Sequence, residues 1–160
     1  MKSSVYFILV FLLILSCQTE VSPRAHQIIP SKQVIEFFED YTKLWSEGNI
    51  EAIATDIYNL PMFLFAQDSI YHMKDHEEVS GFLTNTFNNL ETNNYGFSVI
   101  NQWESYREDG NHIVTEMNFT RFLKDSSIMG DKFRKATYIL RKSRGKLKIA
   151  AIIPHTSLDQ

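Results

Sequence analysis

The sequence predicts one α+β domain, with three helices gathered on one face of a curved antiparallel sheet. Three observations carry this. Apolar residues recur at helical spacing up to about residue 90 and alternate with polar ones from Tyr95 to Ile153. Two glycine-bearing turns, Asp109-Gly110 and Arg144-Gly145, divide that last third into two β-hairpins. Each hairpin has a mainly apolar face, and only the upstream helices are left to cover it. A length of 160 residues, 44% of them hydrophobic, suits a single domain with a real core.

The helical part starts near Ser31, a plausible N-cap. Val34, Phe38, Tyr41 and Trp45 follow on one stripe, while Glu36, Glu39, Asp40 and Lys43 face away. Gly48 ends this helix, and Asn49 caps a shorter one that buries Ile50, Ile53, Ala54 and Ile57 before Pro61 stops it. Met62 to Ala66 and Ile70 to Met73 read as short strands around Gln67-Asp68-Ser69. Asp75 with Glu78 forms an acidic capping box for a third helix, which turns Val79, Phe82, Leu83, Phe87 and Leu90 inward and breaks at Asn93-Asn94.

In the first hairpin a two-residue Asp109-Gly110 loop pairs Tyr106 with Ile113, Gln102 with Met117, Ile100 with Phe119 and Gly96 with Leu123. The second pairs Leu140 with Ile149, Tyr138 with Ala151 and Ala136 with Ile153. Strict alternation then leaves Val99, Trp103, Val114, Ile139, Ala150 and Ile152 on the opposite face. Helices cannot cover both faces, so this apolar surface predicts a homodimer.

The first 17 residues have a different character. Lys2 precedes an apolar run from Val5 to Leu15, too short to span a bilayer comfortably. The run ends in Ile14-Leu15-Ser16-Cys17, which resembles the lipobox of bacterial lipoproteins. That resemblance implies cleavage before Cys17, lipidation of Cys17, and a protein anchored to a membrane of the cell envelope, periplasmic or at the cell surface. Cys17 is the chain's single cysteine, so no disulfide can form within the chain. Residues 18–30, polar and containing Pro23 and Pro30, read as a flexible tether, residues 31–155 as the domain, and residues 156–160 as a frayed tail.

Trp45-Ser46-Glu47-Gly48-Asn49-Ile50-Glu51-Ala52-Ile53, with Tyr58 and Pro61 beyond it, resembles the helix-turn-helix opening of the NTF2-like (SnoaL-like) superfamily. The Asp109-Gly110 hairpin, the alternation Ile113, Thr115, Met117, Phe119, and the closing Leu147, Ile149, Ala151 resemble its later strands. The resemblance implies a cone-shaped domain with a pocket between the first helix and the concave sheet face. Members include isomerases, dehydratases, hydrolases, ligand binders and structural subunits, so fold does not choose function.

Candidate pocket residues are Tyr41 and Trp45 on the first helix, Phe65 on a short strand, and Gln102, Glu104, Thr115, Met117 and Tyr138 on the hairpins. An apolar, aromatic lining with a few polar groups suits a small hydrophobic or amphipathic ligand, bound without a cofactor. The enzymatic alternative uses Tyr41, Glu104 and Tyr138, a carboxylate moving a proton while phenols hold an enolate oxygen. Against it, Met62-Phe63-Leu64-Phe65 offers no base where ketosteroid isomerases place one, and Asp68 lies in the turn beyond. A third possibility is an interaction module that docks an envelope protein through its sheet.

Other chemistry is disfavoured. His72 and His76 have a metal-compatible spacing but straddle a strand end and a helix start, so no metal site is expected. Ser157 and Asp159 sit in the tail just beyond His155, and no G-x-S-x-G elbow, phosphate loop or dinucleotide motif occurs. The net charge is -3, although Lys132 to Lys148 carries eight bases and no acid. That run reads as a solvated turn and strand rim, and no nucleic-acid partner is expected.

Overall fold

A computed structural model describes residues 28–155. Cys17, most of the tether and the tail lie outside the described residues. The elements run α1 (Lys32–Ser46), α2 (Ile50–Ala52) continuing into a π-helical turn (Ile53–Ile57), β1 (Tyr58–Phe65), β2 (Ile70–Met73), α3 (His76–Thr92), β3 (Tyr95–Asp109), β4 (His112–Leu123), β5 (Arg134–Ser143) and β6 (Lys146–His155). The strands form one sheet in the order β2-β1-β6-β5-β4-β3, with three helices packed on it as predicted. Every junction is antiparallel except β1–β6, which is parallel and makes the sheet mixed.

Local chemistry explains the helix ends. After α1, Gly48 adopts φ +66° while Asn49 N–H donates to the Leu44 carbonyl and Gly48 N–H to that of Trp45, the paired bonds of a Schellman stop. Asn49 Oδ1 accepts from Ala52 N–H at 3.1 Å, capping α2. Asp75 Oδ1 accepts from Glu78 N–H at 3.0 Å, and Glu78 Oε2 accepts from Lys74 N–H at 2.7 Å, one residue earlier than a capping box requires. Ser31 makes no side-chain cap; its hydroxyl accepts from the Tyr106 phenol at 3.2 Å, pinning the start of α1 to β3.

The hairpins depart from strict alternation. The first loop is Gly110-Asn111 rather than Asp109-Gly110, with Asp109 opposite His112 and positive φ at Gly110 alone, the pattern of a type II′ turn. Tyr106 therefore faces Thr115, not Ile113. Irregularities around Glu104, Asn101 and Gly96 then shift the pairing stepwise, so that Gln102 faces Asn118 while Ile100 meets Phe119 as predicted. At Gly96 a Cβ would lie 2.7 Å from the Leu123 carbonyl oxygen, so the close approach of β3 to β4 requires glycine there. In the second hairpin Arg144 and Gly145 both have positive φ, as a type I′ loop demands, and Leu140 faces Ile149. A bulge at Ala150 then moves Tyr138 opposite Ile152 and Ala136 opposite Pro154.

These extra residues reverse two side chains that alternation places outside. Trp103 packs inward, edge-on to Phe38 at 5.4 Å, and Ile152 is buried on the concave side. The outer face keeps Val99, Val114 and Ile139, a smaller apolar patch than the sequence suggests. Bulges also increase strand bend and twist, which gives the sheet its curvature.

Phe38 is the centre of the core. It is fully buried, and its ring meets those of Phe37, Trp103 and Tyr138 edge-on at 5.4, 5.4 and 5.0 Å. Val34, Ile53, Leu83, Ile113, Leu140 and Ile149 fill the space around it. The basic run is largely engaged: Lys135 pairs with Glu116 at 3.3 Å, Lys142 with Glu108, and Lys148 Nζ donates to the Thr55 carbonyl at 2.5 Å.

Candidate functional site: an aromatic cavity under the first helix

Beyond Phe38 toward the C-terminal end of α1, the helix and the sheet diverge around a cavity of about 200 Å³ that is partly open to solvent. α1 contributes Tyr41, Thr42 and Trp45, β1 contributes Tyr58, Met62 and Leu64, and α3 contributes Phe82 and Thr86. β3, β4, β5 and β6 complete it with pairs or trios such as Ser98 and Ile100, Met117, Phe119 and Arg121, Ala136 and Tyr138, Ile152 and Pro154. The helical period of α1 and the alternation of β4 bring these residues to one space.

Of the eight predicted pocket residues, Tyr41, Trp45, Met117 and Tyr138 line this cavity. The other four do not. Phe65 stacks on Phe63 along β1, while its neighbours Met62 and Leu64 take the inward places. Gln102 is exposed. Glu104, next to the bulge, accepts a hydrogen bond from Asn118 Nδ2 away from the cavity. Thr115 has the right parity but is fully buried, and its hydroxyl donates to the Ser105 carbonyl at 2.9 Å. The proposed triad of Tyr41, Glu104 and Tyr138 is therefore not assembled, and among the described residues no carboxylate lines the cavity.

The polar character is phenolic and cationic. The Tyr41 and Tyr58 hydroxyls are 3.1 Å apart, and the rings of Tyr41 and Tyr138 meet edge-on at 6.2 Å. Burial raises the pKa of Tyr41, Tyr58 and Tyr138 above the usual phenol value, because a phenolate there would lose its hydration. All three are neutral donor-acceptors at physiological pH.

Tyr58 and Arg121 are the phenol and the cation that sequence reasoning missed, and Arg121 is the charged one. Its signal was present: Ile113, Thr115, Met117 and Phe119 alternate inward, and the next position of that parity is 121. Its guanidinium carbon lies 5.8 Å from the Phe119 ring centroid. Burial, reinforced by nearby Arg134, lowers its pKa from the ordinary guanidinium value. Among the described residues no group of three or more histidine, cysteine or acidic side chains could hold a metal, and no helix is long and apolar enough to cross a membrane.

Solved structures with this architecture include an NTF2-like protein with a cystatin-like fold from Novosphingobium aromaticivorans, 8% identical, covering 100% of this chain and 94% of that one at a TM-score of 0.65. A putative calcium/calmodulin dependent protein kinase II association domain from Xanthomonas campestris is 17% identical, with 83% and 91% coverage and a TM-score of 0.62. A de novo designed protein with a curved β-sheet is 16% identical and covers 79% of this chain and 100% of its own at 0.55. At these identities the likeness concerns the fold alone. No curated protein is significantly similar to the chain. Residues 31–157 match the family described as NTF2-like protein (DUF6841), and with the helices, the curved sheet and the cavity all in place, the chain belongs to that NTF2-like family.

Proposed function

We propose that this protein is a membrane-anchored envelope lipoprotein whose NTF2-like domain binds a small hydrophobic or amphipathic molecule. The observation that carries the binding part is the cavity itself: a partly open space of about 200 Å³, walled by aromatic and aliphatic side chains and supplied with a few hydroxyls. A closed core would have filled it, because interiors pack to near-crystalline density. The anchor rests on the apolar leader and Ile14-Leu15-Ser16-Cys17. Two acyl chains suffice for stable attachment where one is marginal. The remaining outer-face residues Val99 and Val114, about two-fifths exposed, support self-association.

One experiment addresses all three parts. Native mass spectrometry of the full-length protein, released gently from its membrane fraction, is expected to show a mature N-terminus at diacylated Cys17, a retained small molecule and a dimer. An unmodified Cys17 in soluble protein overturns the anchor. A monomer at every concentration overturns the dimer, and failure of any apolar probe to bind the emptied domain overturns the ligand site.

A further inference from the structure

We infer that the cavity is selective for an organic monoanion, a small aromatic carboxylate, held by Arg121. This rests on the binding function just proposed and names the chemistry of its ligand. Arg121 lines the cavity from β4, and its Nε is buried without a hydrogen-bond partner. The carboxylates of Glu36, Glu51, Glu91, Glu108 and Glu116 form ion pairs, all of them with other bases. A charged neighbour that acts on Arg121 is another cation, Arg134, whose Nη2 donates to the Met129 carbonyl at 3.1 Å and whose own Nε is buried and unpartnered. Among the described residues, the groups that act on Arg121 include the phenols of Tyr41, Tyr95 and Tyr138, the Phe119 ring and a like charge.

A desolvated cation beside a like charge is unfavourable unless a counter-charge arrives. The planar guanidinium fork matches the two oxygens of a carboxylate, and such a pair is strongest where water is excluded. The neutral phenols of Tyr41 and Tyr138 can donate to the same oxygens, whereas a lining carboxylate would repel them and none is present among the described residues. Size and shape narrow the class further. An engineered apolar cavity of about 150 Å³ admits benzene. A cavity of about 200 Å³ therefore takes one ring with a short carboxylate arm. Trp45, Phe82 and Phe119 provide walls suited to ring stacking and edge contacts.

The test compares phenylacetate with its neutral isostere phenylacetamide, by calorimetry or by quenching of Trp45 fluorescence, on the full chain stripped of copurified ligand. Phenylacetate is expected to bind at least about tenfold more tightly, the gain of one charge-assisted hydrogen-bonded pair. Arg121→Met is expected to abolish the preference for the acid over the amide, and Arg121→Lys to retain part of it. Equal affinity of the wild type for both probes overturns the anion selectivity and leaves the apolar site standing; binding of neither overturns both. Tighter binding of phenyl phosphate than of phenylacetate overturns the monocarboxylate assignment. Should Arg121→Met fail to fold, the wild-type comparison of acid with amide still decides.

Discussion

Phe38→Ala is expected to destabilise the domain by about 3–5 kcal/mol, the usual cost of removing a buried ring and leaving its cavity. The site cannot collapse easily. Phe37, Trp103 and Tyr138 meet the Phe38 ring from α1, β3 and β5, and each is tethered to a different element. Against a typical total of about 5–15 kcal/mol, this loss consumes a large share of the stability. Urea titration followed by circular dichroism should show a lower midpoint at an unchanged slope. Phe38→Leu, which restores most of the volume, should lose much less. A Phe38→Ala midpoint within error of wild type would show that α1 is not anchored to the sheet through this ring.

Stability should also collapse above about pH 10. Tyr41, Tyr58 and Tyr138 are buried, and burial raises each pKa in the folded state. The unfolded chain begins to release these three protons near the ordinary tyrosine value of about 10, while the folded protein keeps them. Fewer protons are then bound in the unfolded state, so stability is fully present below pH 10 and falls as pH rises. Each such group contributes a slope of about 1.4 kcal/mol per pH unit, and three together approach about 4 kcal/mol per pH unit. Urea midpoints between pH 8 and 11.5, with phenolate absorbance near 295 nm as the second readout, check this. Tyr41, Tyr58 and Tyr138 should ionise only with unfolding, as one cooperative step. Gradual ionisation of these three in the folded protein would mean that the Tyr41–Tyr58–Tyr138 cluster is hydrated. Tyr58→Phe should reduce the alkaline slope by about a third, since one of three coupled protons is removed.

Local signals that depend on a few neighbouring residues were legible in the sequence. The Gly48 stop, the Asn49 and Asp75 caps and the Arg144-Gly145 turn all have the geometry that their side chains favour. The stripe Val34, Phe38, Tyr41 buries the face that the helical period assigns it. Tyr41, Trp45, Met117 and Tyr138 come to one cavity because helix and strand periods are fixed by backbone geometry. What the sequence determined by itself is therefore the order of elements, the inward faces of the helices and of β4, and the kinship with NTF2-like domains. Tertiary structure decided the rest. Tyr58 starts a strand four residues before Met62 because β6 offers it a parallel partner at Ile149, a contact more than ninety residues away. Period-two reasoning assumes an unbroken register, and an extra residue near Glu104, Asn101 or Ala150 reverses every side chain beyond it. That is why Glu104 leaves the cavity while Trp103 and Ile152 turn inward. On unbroken β4 the same period carries through to Arg121, yet an arginine at an inward position reads as a strand end until the walls around it are known. Only the folded sheet, with α1 and α3 laid across it, sets that guanidinium in the wall of a cavity and strips away part of its water.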